Sequence, residues 1–296
     1  MYSQLFTAVY ENDEEKVKVL LEREDIQLNV VNEDGDTPLA YAARNGFYEV
    51  AELLLRKKNI SVNKADNDGV TPLHAAAHNG HHEVLDLLLT MEDIQVNIVD
   101  EDGDTPLNSA AQEGHHQVVA CLLRRMDIKV NQARNDGDTP LHAAAMQGHP
   151  EVVDLLLRRK DIQANVVNED GDTALLVAAR KGHEKIVTLL LSKEGILVSK
   201  ANKKGETPLS IAHHNWHCES EVLHLLFREV KKPLYEYQTC LACQDRTPDV
   251  VLIPCGHQNL CEVCARQWDE EDKGCPVDRI PISNILPLDK EEEPQK

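Results

Sequence analysis

Residues 138–171 read DTPLHAAAMQGHPEVVDLLLRRKDIQANVVNEDG. Thr139 offers a side-chain oxygen to the first backbone N–H groups of a helix. Pro140 sits at the first helical position, where its missing N–H leaves no bond unmade. The alanines that follow make a thin helix that another helix can approach closely. Gly148 can close it in a left-handed conformation. Val152, Val153, Leu155, Leu156 and Leu157 supply the apolar side of a second helix. An extended stretch then leads to a finger turned at Asp170-Gly171. The unit recurs along the chain, with turn glycines at 35, 69, 103, 137, 171 and 205, each 34 residues on. A fixed period of this length signals a stacked array, because one unit cannot bury its own apolar side and stacked neighbours can.

The helix-opening motif stands as TPLHAAA at 71–77 and 139–145, TPLAYAA at 37–43, TPLNSAA at 105–111, TALLVAA at 173–179 and TPLSIAH at 207–213. It resembles the ankyrin repeat. The fold class that follows is mostly α: an ankyrin-repeat solenoid of about seven helix-turn-helix repeats over 2–239, in units of roughly 2–35, 36–69, 70–103, 104–137, 138–171, 172–205 and 206–239. The end units are atypical, as a stack requires where one face meets water. In the first, Ser3 replaces the capping Thr, Gln4 the Pro and Asn12 the helix-ending Gly; in the last, Trp216 replaces Gly beside an insertion at His217 and Cys218. An aromatic content of 4% fits a core of Leu, Val and Ala.

Two columns change from unit to unit while the frame stays fixed. One is Arg44, His78, Gln112, Met146 and Arg180; the other is Glu33, Asn67, Glu101, Asn135 and Glu169. The resemblance implies that these columns lie on the concave face and bind a protein substrate. Finger acids also recur: Asp34 and Asp36, Asp68, Asp102 and Asp104, Asp136 and Asp138, Asp170 and Asp172. They form either an acidic stripe that steers a basic segment or simply solvated turn residues; the second reading is the simpler. His81-His82 and His115-His116 recur where Phe47-Tyr48 and His149-Pro150 stand, so they mark the start of the second helix rather than a metal site. His74 and His142 belong to the TPLH motif, where the resemblance implies a structural hydrogen bond.

The formal charge of −20, from 51 acidic and 31 basic residues, argues against nucleic acid as a partner. No run reaches the ~20 apolar residues of a membrane helix, and the N-terminus lacks the basic start and apolar stretch of an export signal. No membrane association is expected.

A second pattern follows the array: Cys240-x2-Cys243-x11-Cys255-x-His257-x3-Cys261-x2-Cys264-x10-Cys275-x2-Asp278. Two ligands separated by two residues can wrap one ion, and zinc takes four tetrahedral ligands from thiolate, imidazole and carboxylate. Four such pairs imply two structural Zn2+ ions in closed sites, with no open position for a hydrolytic water. Pairs at this spacing favour metal over disulfides, which places the chain in a reducing compartment, cytoplasmic or nuclear. Cys121 stands where sister units have leucine and reads as a small core residue.

The ligand order, with the one His directly after the third Cys in CGH, resembles the RING domain of ubiquitin ligases over 240–279. The resemblance implies a cross-brace: Cys240, Cys243, Cys261 and Cys264 on one ion, Cys255, His257, Cys275 and Asp278 on the other. Asp278 departs from the usual Cys. The resemblance further implies a partner, a ubiquitin-conjugating enzyme charged with ubiquitin, gripped by Leu241, Ala242, Trp268, Pro276 and Val277. Arg279 takes the place of the cation that orients ubiquitin. The implied function is a RING-type ubiquitin ligase without a covalent intermediate, its substrate recruited by the array. Ala242, where active RINGs often carry Ile or Leu, and Asp278 favour the alternative, a non-catalytic scaffold whose zinc domain is a structural or dimerisation module. In the tail, 280–296, Ile280, Ile282, Ile285, Leu286 and Leu288 suit either a strand packed on its own domain or a RING homodimer.

Overall fold

The computed structural model describes residues 3–215, 221–231, 250–253 and 284–287, in two compact units, Met1–Glu169 and Asp170–Lys296. The first unit holds five helix pairs: α1 (Gln4–Tyr10) with α2 (Glu14–Leu21), α3 (Pro38–Asn45) with α4 (Tyr48–Leu55), α5 (Pro72–His78) with α6 (His82–Leu89), α7 (Pro106–Glu113) with α8 (His116–Leu123), and α9 (Pro140–Gln147) with α10 (Pro150–Leu157). The odd-numbered helices pack on one another in succession, and so do the even-numbered ones, giving two layers. The second unit holds α11 (Ala174–Lys181), α12 (Glu184–Leu191), α13 (Pro208–Asn215), α14 (Glu221–Lys231) and the strands β1 (Val250–Ile253) and β2 (Asn284–Pro287). Among the described residues no helix is long and apolar enough to cross a membrane.

The local chemistry of the repeat is realised residue by residue. Thr37, Thr71, Thr105, Thr139 and Thr173 are the N-caps of α3, α5, α7, α9 and α11, with Pro at the first helical positions of the first four. In the first unit Ser3 takes the same role, its Oγ accepting from Phe6 N at 3.1 Å. Asn12, in the place of the helix-ending glycine, has φ 52°, the one positive φ of a non-glycine residue among those described. Asn is one of the few side chains that visits this region at low cost. Ala76, Ala77, Ala110, Ala111, Ala144 and Ala145 are fully buried, so adjacent first helices meet almost backbone to backbone. Leu54, Leu88, Leu122 and Leu156 fill the second layer. Leu155, expected on the apolar side of α10, is half-buried, while Val152, Val153, Leu156 and Leu157 carry the contact.

Polar ladders tie the repeats together. The finger amides of Asn67, Glu101, Asn135 and Glu169 donate to the carbonyls of Asp34, Asp68, Asp102 and Asp136 at 3.0–3.1 Å. Asn63 donates its side-chain amide to Asp93 O at 2.7 Å and accepts from Gln95 N at 2.9 Å. Asn29, Asn97 and Asn131 repeat both bonds at their own positions. This asparagine column is absent from the sequence reading, although its 34-residue spacing is visible there. It bridges loops that would otherwise leave backbone groups unpaired.

The two strands pair antiparallel in the register Val250↔Pro287, Val251↔Leu286, Leu252↔Ile285 and Ile253↔Asn284. Residues 284–287 of the tail thus pair with 250–253.

Candidate functional site

Three columns meet within and between neighbouring repeats, at positions 36, 44 and 66 and at their equivalents in later repeats. In the first such rung Arg44 bridges two nearly buried carboxylates, Asp36 at 2.7 Å and Asp66 at 3.0 Å. The next rung has Val70, His78 and Asp100 in these places. The third has Asp104, Gln112 and Arg134: Arg134 donates to Gln112 Oε1 at 3.1 Å and lies 3.6 Å from Asp104. In the fourth, Asn168 donates to Asp138 at 2.8 Å. Within the second unit Arg180 pairs with Asp172 through both carboxylate oxygens and reaches Glu206 at 3.3 Å.

The electrostatics follow the pairing. Burial alone would push the Asp172 carboxyl up, but hydrogen bonds from Arg180 and Asn202 outweigh it and hold it below the usual carboxylate range. Asp104 is pushed up to about 6, first by burial, with Arg134 opposing and Asp100, Asp102 and Asp136 reinforcing. His74 is buried and its pKa lowered by that burial. The Thr71 amide donates to its Nδ1 at 3.2 Å, so Nε2 carries the proton and donates to Asp104 O in the next repeat at 3.0 Å. Asn108 reproduces this in TPLNSAA: its Oδ1 accepts from Thr105 N and its Nδ2 donates to Asp138 O. The structural hydrogen bond expected of His74 is thus present and also serves as an inter-repeat tie.

The variable columns separate into kinds. Arg44 and Arg180 are engaged in ion pairs within the chain, whereas His78 is exposed and carries no side-chain hydrogen bond among the described residues. Gln112 and Met146 are half-buried. Glu33, Asn67, Glu101, Asn135 and Glu169 lie exposed on the fingers, where Asn67 and Asn135 donate back to Glu33 O at 3.0 Å and Glu101 O at 2.9 Å. The finger acids divide likewise. Asp34, Asp68, Asp102, Asp136 and Asp170 are exposed at the tips; Asp36, Asp138 and Asp172 are buried at the base. An acidic stripe can therefore consist only of the tips. Cys121 is buried, as a core residue should be, and its thiol also meets Asp86 and Arg124.

The metal-site residues expected from the sequence, Cys240, Cys243, Cys255, His257, Cys261, Cys264, Cys275 and Asp278, lie outside the described residues, as do Leu241, Ala242, Trp268, Pro276, Val277 and Arg279. What the structure places is their frame. β1 ends at Ile253, just before Cys255, and β2 begins at Asn284, shortly after Asp278, so their pairing brings together the two ends of the segment that carries six of the eight donors. The donor chemistry fits zinc: soft thiolates with one imidazole and one carboxylate, borne on closely spaced pairs.

Comparison with known proteins assigns both parts. The family model for ankyrin repeats matches residues 5–100, 88–166 and 160–234, and that for a C3HC4-type zinc finger (RING finger) matches 236–285. The chain belongs to the ankyrin-repeat family, with a zinc-binding RING finger at its C-terminal end. The crystal structure of the human ASB11 ankyrin repeat domain is similar at TM-score 0.64 and 23% identity, covering 77% of this chain and 98% of that one. The ankyrin domain of Bcl-3 matches at TM-score 0.65 and 25% identity, over 76% and 98%. Among curated relatives, a protein named putative E3 ubiquitin-protein ligase XBAT35 of Arabidopsis thaliana is 36% identical over 50 residues, 17% of this chain and 11% of its own length. RING finger protein 141 of Danio rerio is 35% identical over 52 residues, 18% of this chain and 22% of its own. The match thus spans about a tenth to a fifth of those relatives.

Proposed function

We propose that the chain is a RING-type ubiquitin-protein ligase: the ankyrin array recruits a protein substrate, and the RING finger holds a ubiquitin-charged conjugating enzyme beside it. One observation carries this reading, the eight donors at RING spacing that directly follow an ankyrin array in the same chain. Cys240, Cys243, Cys261 and Cys264 would hold one zinc and Cys255, His257, Cys275 and Asp278 a second. When bound, the ions cross-link a segment too small to hold itself by apolar burial.

Leu241, Ala242, Trp268, Pro276 and Val277 form the apolar seat of the conjugating enzyme. Arg279 donates hydrogen bonds that fix ubiquitin against it, a role suited to a planar guanidinium. The substrate lysine amine attacks the thioester carbonyl, the isopeptide bond forms, and the conjugating enzyme's thiolate leaves. No bond to this chain is made, so its rate effect comes from orientation and restricted freedom. Zinc-bound thiolates persist where disulfides do not form, which supports a reducing compartment, cytoplasm or nucleus.

The test is autoubiquitination by the purified full chain with a panel of conjugating enzymes. Ubiquitin chains with at least one of them are expected; none from any, with zinc confirmed bound, would overturn the ligase reading in favour of a binding scaffold.

A further inference from the structure

We propose that the cavity between the second and third rungs receives the guanidinium of an arginine from the partner protein, in the place that an arginine of the chain itself fills in sister rungs. The inference rests on the reading of the inner surface as a partner-binding groove and does not depend on ubiquitin transfer.

The repeats of the molecule can be compared with one another. Asp66 and Asp100 occupy equivalent positions in successive repeats, and in each one carboxylate oxygen accepts two backbone N–H groups of the finger turn. Asp66 Oδ1 takes those of Asp68 and Val70, and Asp100 Oδ1 those of Asp102 and Asp104. Their second oxygens differ. Asp66 Oδ2 receives Arg44 at 3.0 Å. Asp100 Oδ2 has no hydrogen-bond donor among the described residues, because His78 stands where Arg44 does and Val70 stands where Asp36 does. The later rungs avoid the same deficit by changing the third column: Arg134 and Asn168 replace the acid in their own repeats.

A cavity of about 330 Å³ adjoins Asp100, with Asp102, Asp104, His78 and Gln112 also in its lining. Two arginines also border it: Arg44 pairs with Asp36 and Asp66, Arg134 hydrogen-bonds Gln112 and lies 3.6 Å from Asp104 and 3.5 Å from Asp136, and the Nε of each is buried without a hydrogen-bond partner. Among the described residues no guanidinium pairs with Asp100 or Asp102. The volume admits a guanidinium and part of its stem, and the planar fork suits a group that must meet two carboxylates. Burial of Asp104 beside the other acids adds to the demand for positive charge.

The test uses the full chain and a defined probe, acetyl-Gly-Gly-Arg-Gly-Gly-amide, against the same peptide with citrulline, which keeps the shape and removes the charge. Binding is followed by amide chemical-shift changes. The arginine peptide is expected to saturate with shifts centred on Asp100, Asp104 and Gln112, and citrulline to weaken binding at least tenfold. His78→Arg, which supplies the chain's own guanidinium in the register of Arg44, should abolish binding while the protein stays folded. Glu15→Gln, an equal change of net charge far from the cavity, should leave binding unchanged. Equal binding of the two peptides, or undiminished binding by folded His78→Arg, overturns the proposal. So does loss of binding in Glu15→Gln, which would mean bulk charge attraction. None of these outcomes bears on ligase activity, which is measured separately.

Discussion

The imidazole of His115 donates from Nε2 to the carbonyl oxygen of His78 at 2.9 Å, reaching back into the preceding repeat. The same bond joins His81 to Arg44 O at 3.1 Å and His149 to Gln112 O at 3.0 Å. In these three repeats the histidine that opens the second helix thus pins the backbone of the variable-column residue one repeat earlier. Its ring also covers the helix-ending glycine of that repeat, so one side chain links the cap of one helix to the start of another.

Replacing His115 with Ala should remove this bond and the packing over Gly80. A net hydrogen bond contributes about 1 kcal/mol, and the lost ring contact adds a similar amount. Urea denaturation of His115→Ala should show a loss of roughly 1–2 kcal/mol at pH 7. No change would mean that the ring is dispensable to the stack.

Gly80 has φ 77°, and a Cβ built on it would lie 2.7 Å from the His115 ring. Gly80→Ala should therefore lose about 1–2 kcal/mol from backbone strain alone, and more from the clash. In the double variant Gly80→Ala/His115→Ala the clash is absent, so the two losses should sum to more than the double variant shows. Strict additivity would separate the glycine from the ring.

Asp104 has a folded-state pKa of about 6, above the unfolded carboxylate value, chiefly through burial. A raised acid pKa means that the folded state binds the extra proton between about pH 4 and 6, so this group's contribution to stability falls as pH rises through that window. Asp104→Asn removes the effect. It should gain on the order of 1 kcal/mol relative to wild type at pH 7.5, offset by loss of its contact with Arg134, and gain nothing at pH 4. Buried His74 acts in the opposite sense, since its lowered pKa makes the fold lose stability as pH falls below the usual histidine range. The wild type's own profile mixes the two, and only the difference between wild type and Asp104→Asn isolates the carboxylate.

Asn97 donates to Asp127 O at 2.8 Å and accepts from Lys129 N at 2.9 Å. Asn97→Ala leaves both backbone groups to water at a partly exposed loop, and should cost about 1–2 kcal/mol by thermal or urea unfolding. Asn97→Asp keeps the acceptor only and should fall between the two.

The array was legible because its signals are local: a capping Thr, a Pro at the first helical position, alanines and a left-handed glycine all act within one repeat. Even the exceptions, Ser3 and Asn12, do what their chemistry indicated. The cross-repeat relations were not legible. Arg44 and Arg180 read as residues free to grip a partner, yet both clamp acids within the chain. Asp34 and Asp36 read alike, as solvated turn residues or as part of an acidic stripe, yet the first is exposed at the finger tip and the second buried at its base. Which column meets which across about thirty residues is set by the stack, and single-chain periodicity does not fix it. The metal-binding spacing was the reverse case, explicit in the sequence and matched by a RING family model over 236–285.

The most direct measurement of the central claim is single-turnover discharge of ubiquitin from a charged conjugating enzyme to free lysine, with the zinc-loaded full chain added. The expected result is a clear acceleration over the enzyme alone, with zinc measured at two equivalents per chain. Arg279→Ala should reduce it about tenfold or more, the equivalent of ~1.4 kcal/mol of transition-state stabilisation, and chelation should abolish it. Discharge at the uncatalysed rate with every conjugating enzyme tested, from protein carrying its full zinc, would contradict the account.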